Sequence, residues 1–462
     1  MSDIRDVEIN AVIRGARLTR THVLIVGLCT TVALFDGFDT QLIAYVGPLI
    51  ARQFQIPFSS LGTIFGAGMV GLSIGALCLP ILADQFGRKP LILIATALFG
   101  LLSILTANVH SYRALLALRV LTGLGLGAAL PNVVALVSEY APGGMRVLVN
   151  ITLGGFGAGA LLAGATASWL LPLYGWHAMF YVGGAIPLIA LVPLAIWLPE
   201  SLPFLALKSA PDARIAATLR RLDPSREFPP APRFTVREEK LAGFTVRHLF
   251  GDGRAGMTAL LWVAQFMNLL VLLFLLNWTP SLLREAGLSL QAAIWTTVGF
   301  STGGVIGAIA VGRLMDRYSP FAVLAITLIG TAGCIALVAH SIGDPLVLPA
   351  AVCVTGFGVA GCQNSLNTVS GMLYPTAIRS TGVGWSMGIG RIGSIVGPVL
   401  GGVFVAAHWD VPTIITVQTI PTLIAAICVL GIPKLRPAAD PAGVEMEGGP
   451  LAQSVRRASG GA

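Results

Sequence analysis

The chain has 462 residues, of which 55% are hydrophobic and only 11% are charged, and its formal net charge is +8. Soluble globular domains carry roughly 25% charged residues, so this composition excludes an ordinary soluble protein and indicates a polytopic membrane protein. The positive charge does not indicate a nucleic-acid partner, because we assign 24 of the 29 Lys and Arg residues to one side of the membrane, 3 to the other and 2 to its interior. This asymmetry follows the positive-inside rule and predicts cytoplasmic N- and C-termini.

Apolar runs of spanning length predict an all-α membrane protein with twelve transmembrane helices in two pseudo-symmetric six-helix halves. Residues 1–21 form a cytoplasmic N-terminal segment, and residues 22–198 form the first six-helix half. A polar stretch with ten basic residues, 199–255, forms a cytoplasmic linker. Residues 256–433 form the second half, and residues 434–462, rich in Pro, Gly, Ala and Ser, form a cytoplasmic and disordered tail.

Sequence offsets indicate that the two halves are repeats. Asp84 after the second span and Asp316 after the eighth are 232 positions apart. The motif Pro142–Arg146 before the fifth span and the motif Pro375–Arg379 before the eleventh are 233 positions apart. Many secondary transporters are built from such repeats and hold their substrate near the bilayer midplane.

Two acids lie in the middle of the first span. Asp36 and Asp39 are three positions apart and therefore share one helical face. An ionised Asp at the bilayer centre costs about 3 kcal/mol, so it needs a base, a water-filled space or a proton. A structural pair with a buried base would meet this need, but two acids so close together favour a functional site.

The loop from Asp84 to Lys89 is a tight basic turn in which Gly87 allows the chain to reverse. Such a turn could simply fix the topology, but a partial second copy at Gly312–Arg317 favours a pair of latches between the halves. We expect these latches to be made in one state and broken in another. The residues assigned to them are Asp84, Gly87, Arg88, Lys89, Arg119, Glu139, Arg146, Asp316, Arg317 and Arg379.

Arg119 and Arg391 are basic residues inside predicted spans. Arg119 either lies near the outer interface and snorkels to it or points inward at an acid. The planar fork of Arg391 suits a carboxylate, which would be either the substrate's or that of Asp36 or Asp39 in a structural pair. The equivalent position of the first half holds Ala158, so this base breaks the repeat.

Other polar or aromatic residues near the midplane are candidates for substrate binding, although each could also be a helix–helix hydrogen bond or an interfacial anchor. They are Asn132, Gln265, Asn277, Trp278, Gln363, Asn367 and Trp385, with Asn268 and Asn364 beside them. The six cysteines and six histidines show no paired metal-ligand spacing, and no catalytic constellation is present, so neither a metal, a cofactor nor an enzyme activity is expected.

The twelve-span plan, the Asp84–Lys89 loop, Arg119 with the glycines that follow it, and the turn Glu139–Arg146 resemble the major facilitator superfamily. The resemblance covers about residues 22–433. The loop departs from the superfamily pattern in having Pro80 where a glycine is usual and Gln85 where a base is usual.

Within that superfamily, Asp36-Gly37-Phe38-Asp39 resembles the D-G-x-D signature of the aromatic acid:proton symporters. The resemblance implies a plasma-membrane symporter, in a bacterial inner membrane, that imports a benzoate-like or hydroxybenzoate-like carboxylate by alternating access. Protons would be the coupling ion, carried by Asp36 or Asp39, and Arg391 would bind the substrate carboxylate. The expected partners are the aromatic acid, protons and the bilayer, and the functional unit is expected to be a monomer. Alternatives are a proton-coupled carrier of an aliphatic carboxylate or a drug or metabolite exporter.

Overall fold

The structure is a computed structural model, and it describes residues 6–208, 212–222, 233–235, 246–375 and 378–435. Apart from two three-residue strands, β1 (Asp6–Glu8) and β2 (Arg233–Thr235), its regular elements are helical. The helices of these residues, beside four short 3-10 turns, are α1 (Ile9–Gly15), α2 (Arg20–Gln53), α3 (Leu61–Cys78), α4 (Pro80–Phe86), α5 (Arg88–Ala107), α6 (Tyr112–Tyr140), α7 (Arg146–Trp197), α8 (Leu202–Leu207), α9 (Asp212–Leu222), α10 (Ala255–Glu285), α11 (Leu290–Arg317), α12 (Pro320–His340), α13 (Val347–Leu373), α14 (Arg379–Ala406), α15 (Val411–Thr416) and α16 (Thr419–Gly431).

Eleven helical segments in the described part of the chain are long and apolar enough to cross a membrane. One of them, α7, has 52 residues, whereas a span needs about 20. Its backbone leaves the helical conformation at Gly175, where φ is 72° and ψ is −175°. This helix therefore supplies the fifth and sixth of the twelve predicted spans, and the predicted all-α membrane fold is confirmed.

The chain forms two compact units. Unit 1 contains the described residues of the first 239 positions together with Leu276–Ser301 and Pro398–Trp409, and unit 2 contains the remainder. Unit 1 thus takes in the end of α10 and the end of α14. These segments contribute to its packing, since Trp278 on α10 donates a hydrogen bond from Nε1 to the backbone oxygen of Pro398 on α14.

Two helices of unit 1, α3 and α6, are in backbone contact at glycines. A Cβ atom added at Gly71 would overlap the backbone oxygen of Val120, and one added at Gly75 would overlap that of Leu124. Small residues at such positions allow membrane helices to approach closely.

Unit 2 repeats this contact between α11 and α13. Gly303 lies against the backbone oxygen of Cys353, and Gly307 lies against that of Phe357. These glycines follow those of unit 1 by 232 positions, and their partners follow by 233. The spacing gives a residue-by-residue correspondence between the units.

The N-terminal segment and part of the predicted linker form an accessory cluster in unit 1. Strand β1 pairs in parallel with β2, and side chains of α1, α8 and α9 share one apolar core with the helix bundle. Buried members of this cluster include Ile9, Ile13, Leu205, Leu219 and Phe234. The predicted tail lies outside the described residues from position 436 onward.

Candidate functional site

A buried ion pair joins α2 to α6. The Nη1 atom of Arg119 lies 3.2 Å from Oδ2 and 3.4 Å from Oδ1 of Asp39, and both residues are buried. Nη2 donates to the hydroxyls of Thr106 and Thr122, each at 3.4 Å. The guanidinium also lies over the ring of Phe180, 4.9 Å from its centroid. Arg119 therefore points inward at an acid, which decides between the two sequence-based alternatives.

Local packing holds Asp39 in this position. Gly37 lies against the backbone of Phe156 on α7, where any Cβ would overlap the backbone oxygen. Asp36, one turn earlier on α2, is also buried. The structure thus keeps both acids inside the helix bundle, and it brings Asp39 to Arg119.

A cavity of about 20 Å³ lies beside the ion pair, enough for one water molecule. A single water there could connect the Asp39 carboxylate to other polar groups. The cavity is lined by Asp39, Thr40, Ile43, Ile64, Phe65, Gly68, Met69, Leu72, Arg119, Gly123 and Leu126.

Unit 2 contains a cluster of four amides on α10 and α13, which we call the amide cluster. Gln265 donates from Nε2 to Oδ1 of Asn367 at 2.9 Å, and Gln363 donates from Nε2 to Oε1 of Gln265 at 2.8 Å. Asn268 donates from Nδ2 to Oε1 of Gln363 at 2.9 Å. Three predicted substrate residues, with Asn268, are therefore brought together.

Arg391 lies on a helix that packs against α10 beside this cluster. A Cβ at Gly390 would lie 3.6 Å from the backbone oxygen of Gln265. The hydroxyl of Ser394 donates to the backbone oxygen of Arg391 at 2.6 Å. The predicted anion-binding residue is half-buried, and its helix contacts α10 at the level of the amide cluster.

Three other predicted substrate-binding residues, all in unit 1, are buried among other residues of the protein. Asn132 is buried and donates to the backbone oxygen of Ala128 in its own helix at 2.7 Å. Asn277 is fully buried. The ring of Trp278 has no exposed surface and stands edge-on to Phe65, with centroids 5.5 Å apart. In this conformation none of the three presents a surface to a ligand.

Trp385 is placed differently from Trp278. It is 43% exposed and stacks on Trp262, with ring centroids 6.0 Å apart and an interplanar angle of 20°. Trp262 in turn meets Phe250 edge-on at 5.2 Å. The pair lies near the beginnings of α10 and α14, which is where interfacial aromatic residues are common.

The loop residues of unit 1 form a charged cluster. Gly87 has φ of 98°, a conformation that favours glycine. Arg88 forms an ion pair with Glu139 at 2.5 Å, and Lys89 donates from Nζ to the backbone oxygen of Ala195 at 2.6 Å. These predicted latch residues therefore meet within one unit.

Glu200 completes this cluster and was not among the predicted residues. Its Oε1 atom accepts from the backbone nitrogens of Arg88 at 2.8 Å, Lys89 at 3.2 Å and Ser201 at 2.8 Å. Its backbone oxygen accepts from the Tyr140 hydroxyl at 2.5 Å. A carboxylate at the N-terminus of α5 is stabilised by the unpaired N–H groups there. The signal in the sequence was an acid directly after the sixth span.

Among the residues that the structure describes, the second loop has no charged cluster equivalent to that of the first. Asp316 and Arg317 are exposed, and neither forms an ion pair within the residues that the structure describes. Arg317 lies over the ring of Tyr318 at 5.9 Å, and Arg379 donates from Nε to the backbone oxygen of Tyr374 at 3.4 Å. The side chains of Asp84 and Arg146, also predicted for the latches, lie outside the described part.

Comparisons with known proteins agree with this architecture. Residues 29–295 and 261–458 match the Major Facilitator Superfamily. The chain is similar to the gallate transporter of Pseudomonas putida, with 39% identity over 91% of this chain and 93% of that protein. It is also similar to the 4-hydroxybenzoate transporter PcaK of Pseudomonas putida, with 35% identity over 92% of this chain and 96% of that protein.

Solved structures share the fold at lower identity. The xylose transporter XylE from E. coli, in a partially occluded inward-open conformation, matches with a TM-score of 0.68 and 17% identity over 90% of this chain and 98% of that chain. A bacterial homologue of the human lysosomal transporter Spinster matches with a TM-score of 0.72 and 14% identity over 91% and 98%. The chain is therefore a membrane transporter, not an enzyme, and belongs to the Major Facilitator Superfamily.

Proposed function

We propose that this protein is a proton-coupled symporter that imports an aromatic carboxylate of the benzoate or hydroxybenzoate type by alternating access. The similarity to a gallate transporter and a 4-hydroxybenzoate transporter supports the substrate class. The observation that carries the proton coupling is the buried pair of Asp39 and Arg119. Stability alone does not explain why a buried ion pair is kept, because apolar residues of similar volume often stabilise a protein as well or better.

In the proposed mechanism, a proton that binds to Asp39 breaks the ion pair with Arg119. Protonation of Asp39 removes the charge that holds Arg119 and leaves the guanidinium with the Thr106 and Thr122 hydroxyls and the Phe180 ring. The two arrangements differ in an ion pair, so proton binding changes their relative free energies.

Arg391 is proposed to bind the substrate carboxylate through its planar fork. Import of one proton with one monoanion moves no net charge, so the pH gradient alone would drive it. A second proton would add about 2.3 kcal/mol per 100 mV of membrane potential. The placement of basic residues supports a bacterial inner-membrane location with both termini in the cytoplasm, and the functional unit is proposed to be a monomer.

Uptake into proteoliposomes under an imposed pH gradient tests this proposal. We expect labelled benzoate or hydroxybenzoates to accumulate and a protonophore to abolish the accumulation. Asp39→Asn should lose proton-driven accumulation, and Arg391→Ala should lose substrate binding. Glu285→Gln, at an exposed acid at the end of α10, is the matched control and should behave as the wild type.

Accumulation of no aromatic acid by correctly inserted wild-type protein would overturn the substrate class. Aliphatic carboxylates and export under the opposite gradient would then be tested in the same vesicles. Normal proton-driven uptake by inserted Asp39→Asn protein would overturn the role of the ion pair.

A further inference from the structure

The hydrogen bonds of the amide cluster all run in one direction. Asn268 donates to Gln363, Gln363 donates to Gln265, and Gln265 donates to Asn367. Each of the two glutamines therefore uses its oxygen as an acceptor and its nitrogen as a donor. The four amides form a chain with a donor end and an acceptor end.

A backbone carbonyl fixes the direction of this chain. The Nδ2 atom of Asn268 also donates to the backbone oxygen of Val359 at 3.1 Å. A carbonyl oxygen can only accept, so the Asn268 amide must present nitrogen to it. The orientation of Asn268 then sets Gln363, which sets Gln265, which sets Asn367. Turning any one amide over would place two donors or two acceptors against each other.

The series of hydrogen-bonded amides ends at the side-chain nitrogen of Asn367, which is available to a ligand. Asn367 uses its oxygen to accept from Gln265, and its own Nδ2 donates no hydrogen bond within the described residues. Gln265 and Asn268 are buried, at 0% and 1% exposure, whereas Gln363 and Asn367 are half-buried. The buried amides thus hold an accessible pair of N–H donors in place.

The depth of this group indicates that it faces a polar space. Gln265 is ten residues from the beginning of the 31-residue helix α10, which is about 15 Å along it, so the amide cluster lies well inside the apolar span. An unsatisfied amide facing lipid costs several kcal/mol. The open edge of the amide cluster is therefore expected to meet water or a ligand.

We propose that Asn367 recognises a ring hydroxyl group of the substrate by donating from Nδ2 to the hydroxyl oxygen. This inference rests on the proposed function and narrows its substrate class to hydroxylated aromatic acids. Arg391 is the group suited to the carboxylate, and its helix contacts α10 beside Gln265. Gln265, Gln363 and Asn268 are positioning residues that keep the nitrogen of Asn367 outward.

The direction of the hydrogen bonds in the amide cluster predicts which ring substituents are recognised. A hydroxyl oxygen accepts from an N–H donor, whereas a ring amino group is itself a donor and accepts poorly. The protein should therefore favour a hydroxybenzoate over both benzoate and the aminobenzoate with the same substitution. A site that hydrogen-bonds a hydroxyl discriminates strongly against an analogue that lacks it.

The test is competition for uptake by proteoliposomes, with benzoate and its 3- and 4-hydroxy and 3- and 4-amino derivatives as the probes. We expect at least one hydroxybenzoate to compete about tenfold better than benzoate and than its amino counterpart. Asn367→Leu should reduce this ratio about tenfold, and Gln265→Met, which releases the Asn367 amide, should reduce it as well. Thr368→Val, on the exposed side of the same helix, should leave the ratio unchanged.

Uptake of aromatic acids with an unaltered ratio in folded Asn367→Leu protein would overturn the inference while the proposed function stood. An equal loss for benzoate and hydroxybenzoates would also overturn it, because it would indicate a helix–helix contact rather than recognition of the hydroxyl. An amino derivative that competes as well as the hydroxyl would contradict the assigned direction. Absence of all aromatic uptake by the wild type would instead reject the proposed function.

Discussion

Units 1 and 2 have corresponding helix contacts but bury different chemistry. The correspondence set by the glycine contacts matches Asp39 to Val271 and Arg119 to Val352. Both valines are buried, at 1% and 2% exposure. The same helix positions are therefore packed without charge in unit 2. A charge that packing does not require, in a place where it is costly, is best explained by function.

The beginning of the third span in each unit shows the same contrast. In unit 1, Glu200 accepts from the backbone nitrogens of Arg88 and Lys89 at the start of α5. The corresponding helix of unit 2, α12, begins with Pro320, which has no backbone N–H to satisfy. Unit 1 provides a carboxylate for the first backbone N–H of this helix, whereas unit 2 has a proline that lacks this N–H. At both of these places unit 1 uses a charged group, whereas unit 2 uses an uncharged one.

The largest expected effect comes from removing one member of the buried ion pair. Asp39→Val leaves the Arg119 guanidinium without its carboxylate, at a cost of about 3–5 kcal/mol in stability. The double variant Asp39→Val with Arg119→Val reproduces the valine pair of unit 2. We expect it to recover most of the lost thermal stability, measured by unfolding in detergent.

The double variant also separates folding from coupling. Although folded, it should accumulate no substrate under a pH gradient, because the group that receives the proton is gone. Stability as low as that of Asp39→Val alone would show that the two units are not interchangeable at this position. Proton-driven accumulation by the double variant would contradict the proposed coupling.

A second prediction places a residue of one unit at the corresponding position of the other. Asp36 of unit 1 corresponds to Asn268 of unit 2 by the offset of 232. Asn268→Asp would place a carboxylate where Nδ2 now donates to Val359 and Gln363. We expect a loss of about 2–3 kcal/mol, since a charged acid is costly at this depth. The yield of inserted, monodisperse protein and its unfolding temperature measure it. Asp36→Asn removes a membrane acid and should be the milder change, so equal losses would contradict this interpretation.

A smaller effect is expected at Glu200. Glu200→Gln keeps an acceptor oxygen but loses the charge at the N-terminus of α5, which should cost about 1 kcal/mol. Glu200→Ala removes the acceptor for three backbone nitrogens and should cost about 2 kcal/mol or more. Thermal unfolding measures both. Glu285→Gln, exposed at the end of α10, is the control and should have no effect.

The smallest effect is expected at an exposed acid before α15. Asp410 accepts from the backbone nitrogen and the hydroxyl of Thr413, and these hydrogen bonds hold the pKa of its carboxyl below the usual value. The stabilisation is therefore present at neutral pH and is lost as the pH falls through that lowered pKa. Asp410→Ala should lower the unfolding temperature slightly at pH 7 and not in acid. Asp316→Ala, an exposed acid without a described cap, should show no such pH dependence.

The lengths of the apolar runs and the composition were enough to predict the twelve spans, because these local patterns are long and strong. The nearly constant offset between matching motifs predicted the duplicated plan. The need of Asp39 for a base, a water-filled space or a proton was also predictable, since an acid in the middle of an apolar run is costly by itself. The direction of Arg119 was not. It depends on Thr106 and Phe180, which reach it from α5 and α7, and on Thr122 of its own helix.

Other features depend on tertiary contacts that a single sequence does not display. Gln265, Gln363 and Asn367 were candidates, but their order of donation follows from the carbonyl of Val359. Trp278 and Trp385 looked alike as aromatic candidates, yet one is fully buried and the other is 43% exposed. Glu200 was assigned to the linker because it is a charged residue at the start of a polar stretch. Its contact with the backbone nitrogen of Arg88 joins residues 112 positions apart, which a local pattern does not reveal.

The pairing of β1 with β2 has a consequence for biosynthesis. Residue 6 is opposite residue 233, so the first strand leaves the ribosome well before its partner is made. At roughly 5–20 residues per second, the 227 residues from position 7 to position 233 take about 10–45 s. During translation the strand must wait, unpaired, while six spans enter the bilayer. A bulky fusion at the N-terminus would therefore interfere with the last step in assembling the first half.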